Sequence, residues 1–572
     1  MKNLELSWMF SEIADLLEIK GENPFKIRTY RKAANVLMNL PIKIEKLYEE
    51  KKLMDIPGIG KALASKIQEY LETGKCEFYD KIKKEVSPDL RELLKIPGLG
   101  PKKIKIIIDN LDVKNIDDLE IAAKTKKLRE LPGMGSKTEF NILRAIRMFR
   151  EKQKTIPMGV GLPFAEAIVK ILEKIDVVEN VEITGSLRRR KDVISNIDIL
   201  VGSTDPKTII KVFERMPSVK QIDSKNLHHI SVILDVGIRV ELEIVEPRSF
   251  YTALHNTTGS QAYIKRLDKL ALEQGLKIEK HGVFNSDGTE IEINKESDIY
   301  RALKIPYIIP ELREDRGEIE TALKNKLPQV INNEDILGDL HIHTNWSDGI
   351  NSIEEVVEKA QEKGYKYVAV TDHSKSLGIA KGLSEKRLME QKEIISKLNE
   401  KLNGFKILSG IEMDILRNNE LDYSDEILEE MDLVIASIHT GFHQDRDKIT
   451  RRLETAIKND NVDIIAHPTG RLLGKRDAYD VDIDYLFDIA AKHNTVFEIN
   501  SSPDRLDLND VLAKKAKEHG IKLAINTDSH DVTRMDDIRF GIGIARRAWL
   551  EKTDVINCME YKELMKFLRK KY

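Results

Sequence analysis

Short apolar runs recur along the C-terminal part of the chain. They begin at Tyr367, Phe405, Leu433, Val462 and Ile521. Each run has the length and the apolar character of a buried β-strand, and longer stretches with helical spacing separate the runs. This alternation predicts repeated β–α units, in which parallel strands form the centre of an α/β barrel.

Residues that can bind metal stand at the ends of these runs. His341 and His343 are one residue apart, and further candidates follow the later runs: Asp372, His373, Glu412, His439, His467, Asp528 and His530. Six of the 13 histidines of the chain occupy such positions. Carboxyl ends of parallel strands meet at one end of a barrel, so the side chains should converge there. Imidazoles and carboxylates together suit Zn, Mn or Fe, and closely spaced metals suit hydrolysis of a phosphate ester.

The N-terminal part shows helical spacing interrupted three times by a Pro-Gly-x-Gly turn, within 56–61, 96–101 and 131–136. Each turn is predicted to open a helix, over 62–71, 102–110 and 137–148. Free amides at such a turn form a phosphate site, which makes six glycines candidate DNA-backbone contacts: Gly58, Gly60, Gly98, Gly100, Gly133 and Gly135. The repeat resembles the helix-hairpin-helix, which holds a nucleic-acid backbone without reading its sequence.

Composition and charge support this division. With 572 residues, 41% hydrophobic and 33% charged, the chain should fold as several globular domains. No apolar run approaches the roughly 18 residues that span a bilayer, and no signal peptide is recognisable. The two cysteines exclude a disulfide framework and favour the cytoplasm. Residues 1–155 hold 32 Lys and Arg against 24 Asp and Glu, a net +8, whereas the remainder is −11, so the basic front end favours a polyanion partner.

The middle of the chain has the outline of a nucleotidyltransferase palm over 183–200. Gly-Ser at 185–186 is expected to open a helix, where Ser186 and Arg189 could bind a triphosphate. Asp198 on the next strand and Glu241 on a neighbouring strand are the expected carboxylates of a metal site for attack by a 3′ hydroxyl.

The order of these motifs resembles the family X DNA polymerases of bacteria and archaea that carry a PHP domain. Thr258-Gly-Ser260, residues 371–378 (Thr-Asp-His-Ser-Lys-Ser-Leu-Gly) and residues 499–503 (Ile-Asn-Ser-Ser-Pro) match it, and the likeness runs from about residue 4 to about residue 569. It implies a multidomain fold. An all-α helix-hairpin-helix region would span 1–150, an α+β palm with a terminal subdomain 151–315, a linker 316–335, and a distorted (β/α)7 PHP barrel 336–572.

The resemblance also implies a metal-ligand set and an activity for the barrel. Up to three Mn²⁺ or Zn²⁺ ions would be held, in three groups: His341, His343, Glu412 and Asp528; Glu412, His439 and His467; and Asp348, His373 and His530. In the family this centre gives 3′→5′ exonuclease activity, and it can give 3′-phosphatase or abasic-site endonuclease activity.

The palm departs from the family pattern at its metal site. The family's Asp-x-Asp is Asn196-Ile-Asp198 here, its third carboxylate is Glu241 instead of Asp, and the following Arg is Glu243. The aromatic pair before Thr258 is Asn256-Thr257, and the family's base-facing Asn is Ile264. Because Asn lacks charge and Glu misplaces its carboxylate, templated nucleotide addition is expected to be weak or lost. The alternative is an active polymerase that uses one altered Mg²⁺ or Mn²⁺ site at Asp198 and Glu241.

Lys66 matches a catalytic lysine of the family members that have lyase activity. In those proteins the amine of this lysine attacks a 5′-deoxyribose phosphate. The other interpretation is that Lys66 binds a phosphate.

The leading interpretation is a cytoplasmic, monomeric protein of DNA repair, including base excision repair. It would hydrolyse DNA 3′ ends after binding gapped, nicked or 3′-recessed DNA, with a dNTP as the least certain ligand and no membrane partner. A PHP small-molecule phosphatase with a non-catalytic DNA-binding front end is the further alternative.

Overall fold

The computed structural model describes residues 2–38, 40, 42, 44–96, 98–153 and 155–568. The chain divides into two compact units, residues 1–154 and residues 155–572. In the described ranges, no helix combines the length and apolar character needed to cross a bilayer. The first unit is helical, and the second combines helices with β-sheets.

The first unit packs its helices around one apolar core. In α1, Phe10, Ile13 and Leu17 lie on one face and are buried against α2, which contributes Tyr30 and Leu37. Three helices contain the stretches predicted to follow the glycine turns. The helices are α1 (Lys2–Ile19), α2 (Pro24–Met38), α3 (Ile44–Glu49), α4 (Lys61–Thr73), α5 (Glu77–Glu85), α6 (Pro88–Leu93), α7 (Pro101–Asn110), α8 (Ile116–Lys124) and α9 (Ser136–Gln153).

The first glycines of the three Pro-Gly-x-Gly turns share a positive φ. The first glycine of each, Gly58, Gly98 and Gly133, has a φ of +89°, +80° and +74°, which side-chain-bearing residues rarely adopt. The second glycines Gly60 and Gly100 are extended and directly precede α4 and α7. A Cβ added at either would meet no atom within 4 Å, so these turns are open to an approaching backbone.

The middle region is built on a five-stranded sheet in the order β2-β4-β7-β6-β5. Its strands and those of two smaller sheets are β1 (Ile156–Pro157), β2 (Asn180–Ile183), β3 (Val193–Ile194), β4 (Ile197–Gly202), β5 (Val219–Lys225), β6 (His229–Leu234), β7 (Arg239–Val245), β8 (Leu276–Glu279), β9 (Gly282–Asn285) and β10 (Glu290–Ile291). The helices are α10 (Met158–Leu172), α11 (Gly185–Arg188), α12 (Pro206–Glu214), α13 (Phe250–Thr258), α14 (Gln261–Glu273), α15 (Ser297–Ala302) and α16 (Glu318–Leu323). Strands β4 and β7 run parallel and set Asp198 opposite Glu241.

The C-terminal region is a parallel seven-stranded sheet whose strands follow the order of the chain. They are β11 (Gly338–Ile342), β12 (Tyr367–Val370), β13 (Lys406–Asp414), β14 (Leu433–Ser437), β15 (Ile464–Ile465), β16 (Val496–Asn500) and β17 (Leu523–Asn526). The surrounding helices are α17 (Ile353–Glu362), α18 (Glu385–Asn399), α19 (Asp425–Leu428), α20 (Arg446–Ile457), α21 (Ile483–His493), α22 (Asp510–Glu518), α23 (Ile538–Arg547) and α24 (Tyr561–Leu568). A parallel bridge from Ile342 to Ser529 nearly closes the barrel, which confirms the distorted (β/α)7 prediction.

Buried charges join the palm to the barrel inside the second unit. Arg547 at the end of α23 is 2% exposed and donates to Glu314 Oε1 at 2.9 Å and to the carbonyl of Arg189 at 2.7 Å. The segment 316–335, expected as a linker, includes α16, and its Ile331 amide donates to the carbonyl of Leu550. The two regions therefore share a buried polar contact through which they can hold each other in place.

Candidate metal centre and DNA-contacting sites

The mouth of the barrel gathers all nine side chains of the expected ligand set. Three clusters have one candidate ligand atom from every member within 4.8 Å of the others: His343, Asp348, His373 and His530; His341, His343 and Asp528; and His373, Glu412 and His439. Strand ends supply most of these residues, as the sequence pattern predicted. Asp528 and His530 lie beyond the end of β17, so the bend after that strand, not strand alternation, directs them inward.

Glu412 is the centre of this arrangement. It lies inside β13 and is 1% exposed, and five imidazoles surround its carboxylate. Its Oε1 is 2.9 Å from His467 Nε2 and 3.3 Å from His439 Nε2. Its Oε2 is 3.5 Å from the Nε2 atoms of both His341 and His343. One carboxylate can therefore bridge two neighbouring cation positions.

The remaining ligands form the outer side of the centre. Asp348 has its Oδ2 3.6 Å from His373 Nε2 and its Oδ1 3.4 Å from His530 Nε2. Asp528 Oδ1 lies 3.2 Å from His343 Nε2. The clusters share His343 and His373, whereas the family grouping assigns each of these to one metal. His373 Nδ1, for example, lies 2.8 Å from Glu412 Oε2.

Buried atoms without hydrogen bonds at this site fit bound cations. His343 Nδ1, His373 Nδ1 and Glu412 Oε2 are buried and make no hydrogen bond to any described residue, although His373 Nδ1 and Glu412 Oε2 are in ion-pair contact. Leaving such atoms without a hydrogen bond is costly in a protein interior. Six imidazoles and three carboxylates are also the donor set that Zn²⁺, Mn²⁺ or Fe²⁺ prefers. The residues present therefore fit metal ions.

The buried imidazoles and carboxylates of the centre shift one another's pKa values because they lie close together. Burial lowers the pKa of His341, but the carboxylates of Glu498, Asp528 and Glu412 outweigh it and hold that pKa well above the usual range. Burial raises the pKa of Glu412, but the neighbouring imidazoles of His439, His373 and His341 hold it well below the usual range. The carboxylate thus stays charged and available to a cation.

Glu498 is a supporting residue that sequence reasoning missed. It is fully buried in β16 and accepts from His341 Nδ1 at 2.8 Å and from the His467 amide at 2.8 Å. It thereby fixes the tautomer and the direction of one ligand, as carboxylates behind metal-bound histidines do. The signal for it was an apolar run, Val496-Phe-Glu-Ile, with a carboxylate at its third position.

Asp372 does not join the ligand clusters, although it was among the candidates at strand ends. Its carboxylate accepts from the Thr344 amide and hydroxyl at 2.9 and 2.6 Å, from the Ser347 amide at 3.2 Å and from Gln391. These bonds hold the loop that carries Asp348. Asp372 therefore positions a ligand from behind.

The palm site differs from the barrel centre because its own side chains occupy its polar groups. Asn196 Nδ2 donates to Asp198 Oδ1, and Glu241 is bound by the Ser231 hydroxyl at 2.9 Å and His229 Nε2 at 3.0 Å. Burial raises the pKa of Asp198 to about 6. Over the described part of the palm, no group of three potential ligands meets the spacing found in the barrel.

The expected phosphate-binding residues of the palm are likewise engaged. Gly185 and Ser186 open the short helix α11, as predicted. Arg189 is buried and donates from Nε to Glu314 Oε1 at 2.8 Å and from Nη1 to the Thr258 carbonyl at 2.7 Å. Ile264 lies against Gly259, where an added Cβ would be 2.8 Å from its Cδ1. The guanidinium expected to bind a triphosphate is thus held by protein acceptors.

In the first unit, Lys66 and Lys26 lie against the same aromatic ring. Their Nζ atoms are 4.8 and 5.3 Å from the centroid of Phe78, which stacks on Tyr30 at 5.8 Å. Lys66 Nζ also donates to the Ala62 carbonyl at 3.2 Å. Two amines, one from α2 and one from α4, thereby contact the same ring of α5, near the first glycine turn.

Comparison with known proteins covers all three regions. Family models for a helix-hairpin-helix domain, a SAM-like helix-hairpin-helix tandem, a DNA polymerase beta thumb and a PHP domain match residues 1–76, 90–148, 253–314 and 339–502. The chain is 38% identical to the DNA polymerase/3′-5′ exonuclease PolX of Bacillus subtilis (strain 168) over the whole length of both proteins. A probable phosphatase of Thermoanaerobacter sp. (strain X514) is 31% identical over 38% of this chain and 89% of its own. A probable phosphatase of Shewanella loihica is 30% identical over 34% and 78%.

Proposed function

Because this chain belongs to the family X DNA polymerases with a C-terminal PHP domain, we propose that its principal reaction is metal-dependent 3′→5′ hydrolysis of DNA ends in the barrel. The observation that carries the proposal is the contrast between the two sites. The barrel gathers its ligand-type side chains into three clusters with metal-ligand spacing, whereas the described part of the palm holds no such cluster and pairs its carboxylates with neighbouring side chains.

The barrel residues would hold up to three ions, with Mn²⁺ or Zn²⁺ as the proposed metals. When bound, such ions supply an activated water and stabilise charge on the leaving oxygen. Glu412 would be shared between neighbouring ions, and Glu498, at 2.8 Å from His341 Nδ1, would direct the Nε2 of that imidazole toward them. Burial of the ligands lowers the local dielectric and would strengthen their interaction with the bound cations.

The first unit would deliver gapped, nicked or 3′-recessed DNA, since its glycine turns leave space for an approaching phosphate backbone. The palm would help to shape the site for the primer end, with nucleotide addition weak or lost. Metal binding there would fall to one Mg²⁺ or Mn²⁺ at Asp198 and Glu241. We further propose a monomer that acts on DNA in base excision repair. The free thiols of Cys76 and Cys558 fit a reducing compartment, for which we propose the cytoplasm.

Turnover on two substrates tests the proposal against the phosphatase alternative, to which the partial relatives point. The purified protein with Mn²⁺ is given a 3′-recessed duplex or histidinol phosphate at matched concentrations. We expect a higher kcat/KM for the duplex. Faster hydrolysis of histidinol phosphate would refute the choice of substrate and leave the front end as a DNA-binding module alone.

Lys66 carries a second candidate activity, removal of a 5′-deoxyribose phosphate through a Schiff base. The observation that favours it is the placement of the Lys66 and Lys26 amines at one aromatic ring, Phe78. We expect borohydride to trap the protein on an incised abasic-site duplex, and Lys66→Arg to abolish trapping because arginine cannot form the imine. Lys26→Arg is the matched control and should still be trapped. Absence of an adduct with the unaltered protein would leave Lys66 as a phosphate contact.

A further inference from the structure

An arginine with free terminal nitrogens stands at the mouth of the metal centre. Arg505 lies in the loop 501–507 that follows β16, and its Nε is 3.4 Å from Asp528 Oδ2. Over the described residues, it is the one Lys or Arg whose side chain comes within 4.0 Å of a carboxylate of the nine expected ligands. Its two terminal nitrogens make no hydrogen bond to any described residue.

A guanidinium at this place suits a phosphodiester substrate. A phosphodiester brings negative charge to a mouth that already holds the carboxylates of Asp348, Glu412 and Asp528. A guanidinium presents planar donors that match two phosphate oxygens, which a metal-bound carboxylate cannot do. The side chain of Arg505 is 19% exposed, so it keeps an accessible part while its Nε is in an ion pair with Asp528.

We propose that Arg505 binds the non-bridging oxygens of the scissile phosphate and stabilises the charge that develops on them during hydrolysis. Asp528 then has two functions, with Oδ1 directed to the imidazoles and Oδ2 to Arg505 and Asn500. The assignment rests on the proposed phosphoesterase function and adds the residue that recognises the phosphate.

The loop that carries Arg505 is held from the palm side. Arg471 donates from Nη2 to the Leu506 carbonyl and from Nη1 to Asp192 of the palm at 2.8 Å. Pro503 lies directly on Gly159 at the start of α10, where a Cβ would be 1.9 Å from the Cβ of Pro503. Asp192 is thus a positioning residue for Arg505. The palm, despite its altered carboxylates, would support the nuclease by holding this loop.

The test compares Arg505→Ala and Arg505→Lys with the unaltered protein, and Lys475→Ala is the matched control. Lys475 is a 67% exposed cation on the neighbouring loop, paired with Asp504 at 3.6 Å. Bound manganese, kcat and KM are measured on a 3′-recessed duplex and on bis(4-nitrophenyl) phosphate, a diester that needs no DNA contact. Inorganic phosphate is the inhibitor that probes the subsite.

Arg505→Ala should lower kcat on both diesters by about 100-fold, the usual effect of removing one donor to a developing oxyanion. It should weaken inhibition by phosphate by at least about tenfold while manganese content stays constant, and Arg505→Lys should be intermediate. Unchanged phosphate inhibition, or a loss of manganese that parallels the loss of activity, would overturn the assignment. Failure of the proposed DNA substrate alone would leave the diester and phosphate results intact.

Asp192→Asn tests the support from the palm. We expect kcat to fall about threefold to tenfold on the small diester, since the loop loses a charge-assisted bond. In the Arg505→Ala background the same change should have no further effect on kcat or on phosphate inhibition. Additive effects would show that Asp192 acts on the fold instead of through Arg505.

Discussion

His341→Ala is expected to abolish degradation of DNA 3′ ends without creating nucleotide addition. His341 is completely buried, and its Nε2 faces Glu412, Asp528 and His343 at 3.5, 3.6 and 3.1 Å. Removing it deletes a ligand and also leaves the Glu498 carboxylate buried without its imidazole partner. Changes in residues behind metal ligands commonly cost about 10- to 100-fold, and loss of a ligand should exceed about 100-fold.

The measurement is one assay with gapped DNA, dNTPs and Mn²⁺, in which shortened and extended primers are resolved together. His493→Ala is the matched control, because His493 lies at the end of α21, outside the ligand clusters. It should degrade DNA at the unaltered rate. Degradation by His341→Ala within a fewfold of the unaltered protein would contradict the assignment of the barrel as the nuclease.

Much of the barrel could be predicted because its signals are local. An apolar strand followed by a ligand-type residue is readable at Asp372-His373, His439 and His467, and parallel strands bring their ends together whatever the helices between them do. Glu498 was not predicted as part of the site, because it lies inside the apolar run Val496-Phe-Glu-Ile instead of after its end. Sequence pattern gives the strand, but the direction of a buried carboxylate depends on which imidazole packs against it.

The state of the palm could be predicted only in part. Asn196 and Glu241 are visible departures in the sequence. The hydrogen bond between Arg189 and Glu314 cannot be recognised in the sequence, because the two residues are 125 positions apart and Glu314 also binds Arg547 of the barrel. Tertiary packing decides which residue of another domain pairs with a charged side chain. The local periodicity of the sequence carries no information about that packing. The same limit applies to Arg505, whose loop is ordered by palm residues far away in sequence.

Asn196→Asp should raise nucleotide addition, and the gain is best measured in the His341→Ala background, where primers are not degraded. In the unaltered palm the Asn196 amide donates to the Asp198 carboxylate and offers no charge to a cation. An aspartate removes that donor and restores two carboxylates two residues apart at the start of β4. Because errors of about 1 Å in such a site can cost on the order of 100-fold in rate, we expect a gain of about tenfold or more in extension of a gapped primer with Mg²⁺ or Mn²⁺.

Three comparisons make this prediction specific to the metal site. Asp198→Asn added to the same protein should remove the gain, because the new carboxylate at position 196 is then left with Glu241, which is held by His229 and Ser231. Ser195→Asp is the matched control, since it adds a carboxylate at an exposed neighbouring position and should leave extension unchanged. Rapid extension by His341→Ala alone would instead mean that Asp198 and Glu241 already hold a working metal. The palm would then be a second active site of the chain, and the pairing of its carboxylates would be a resting arrangement that the nucleotide displaces.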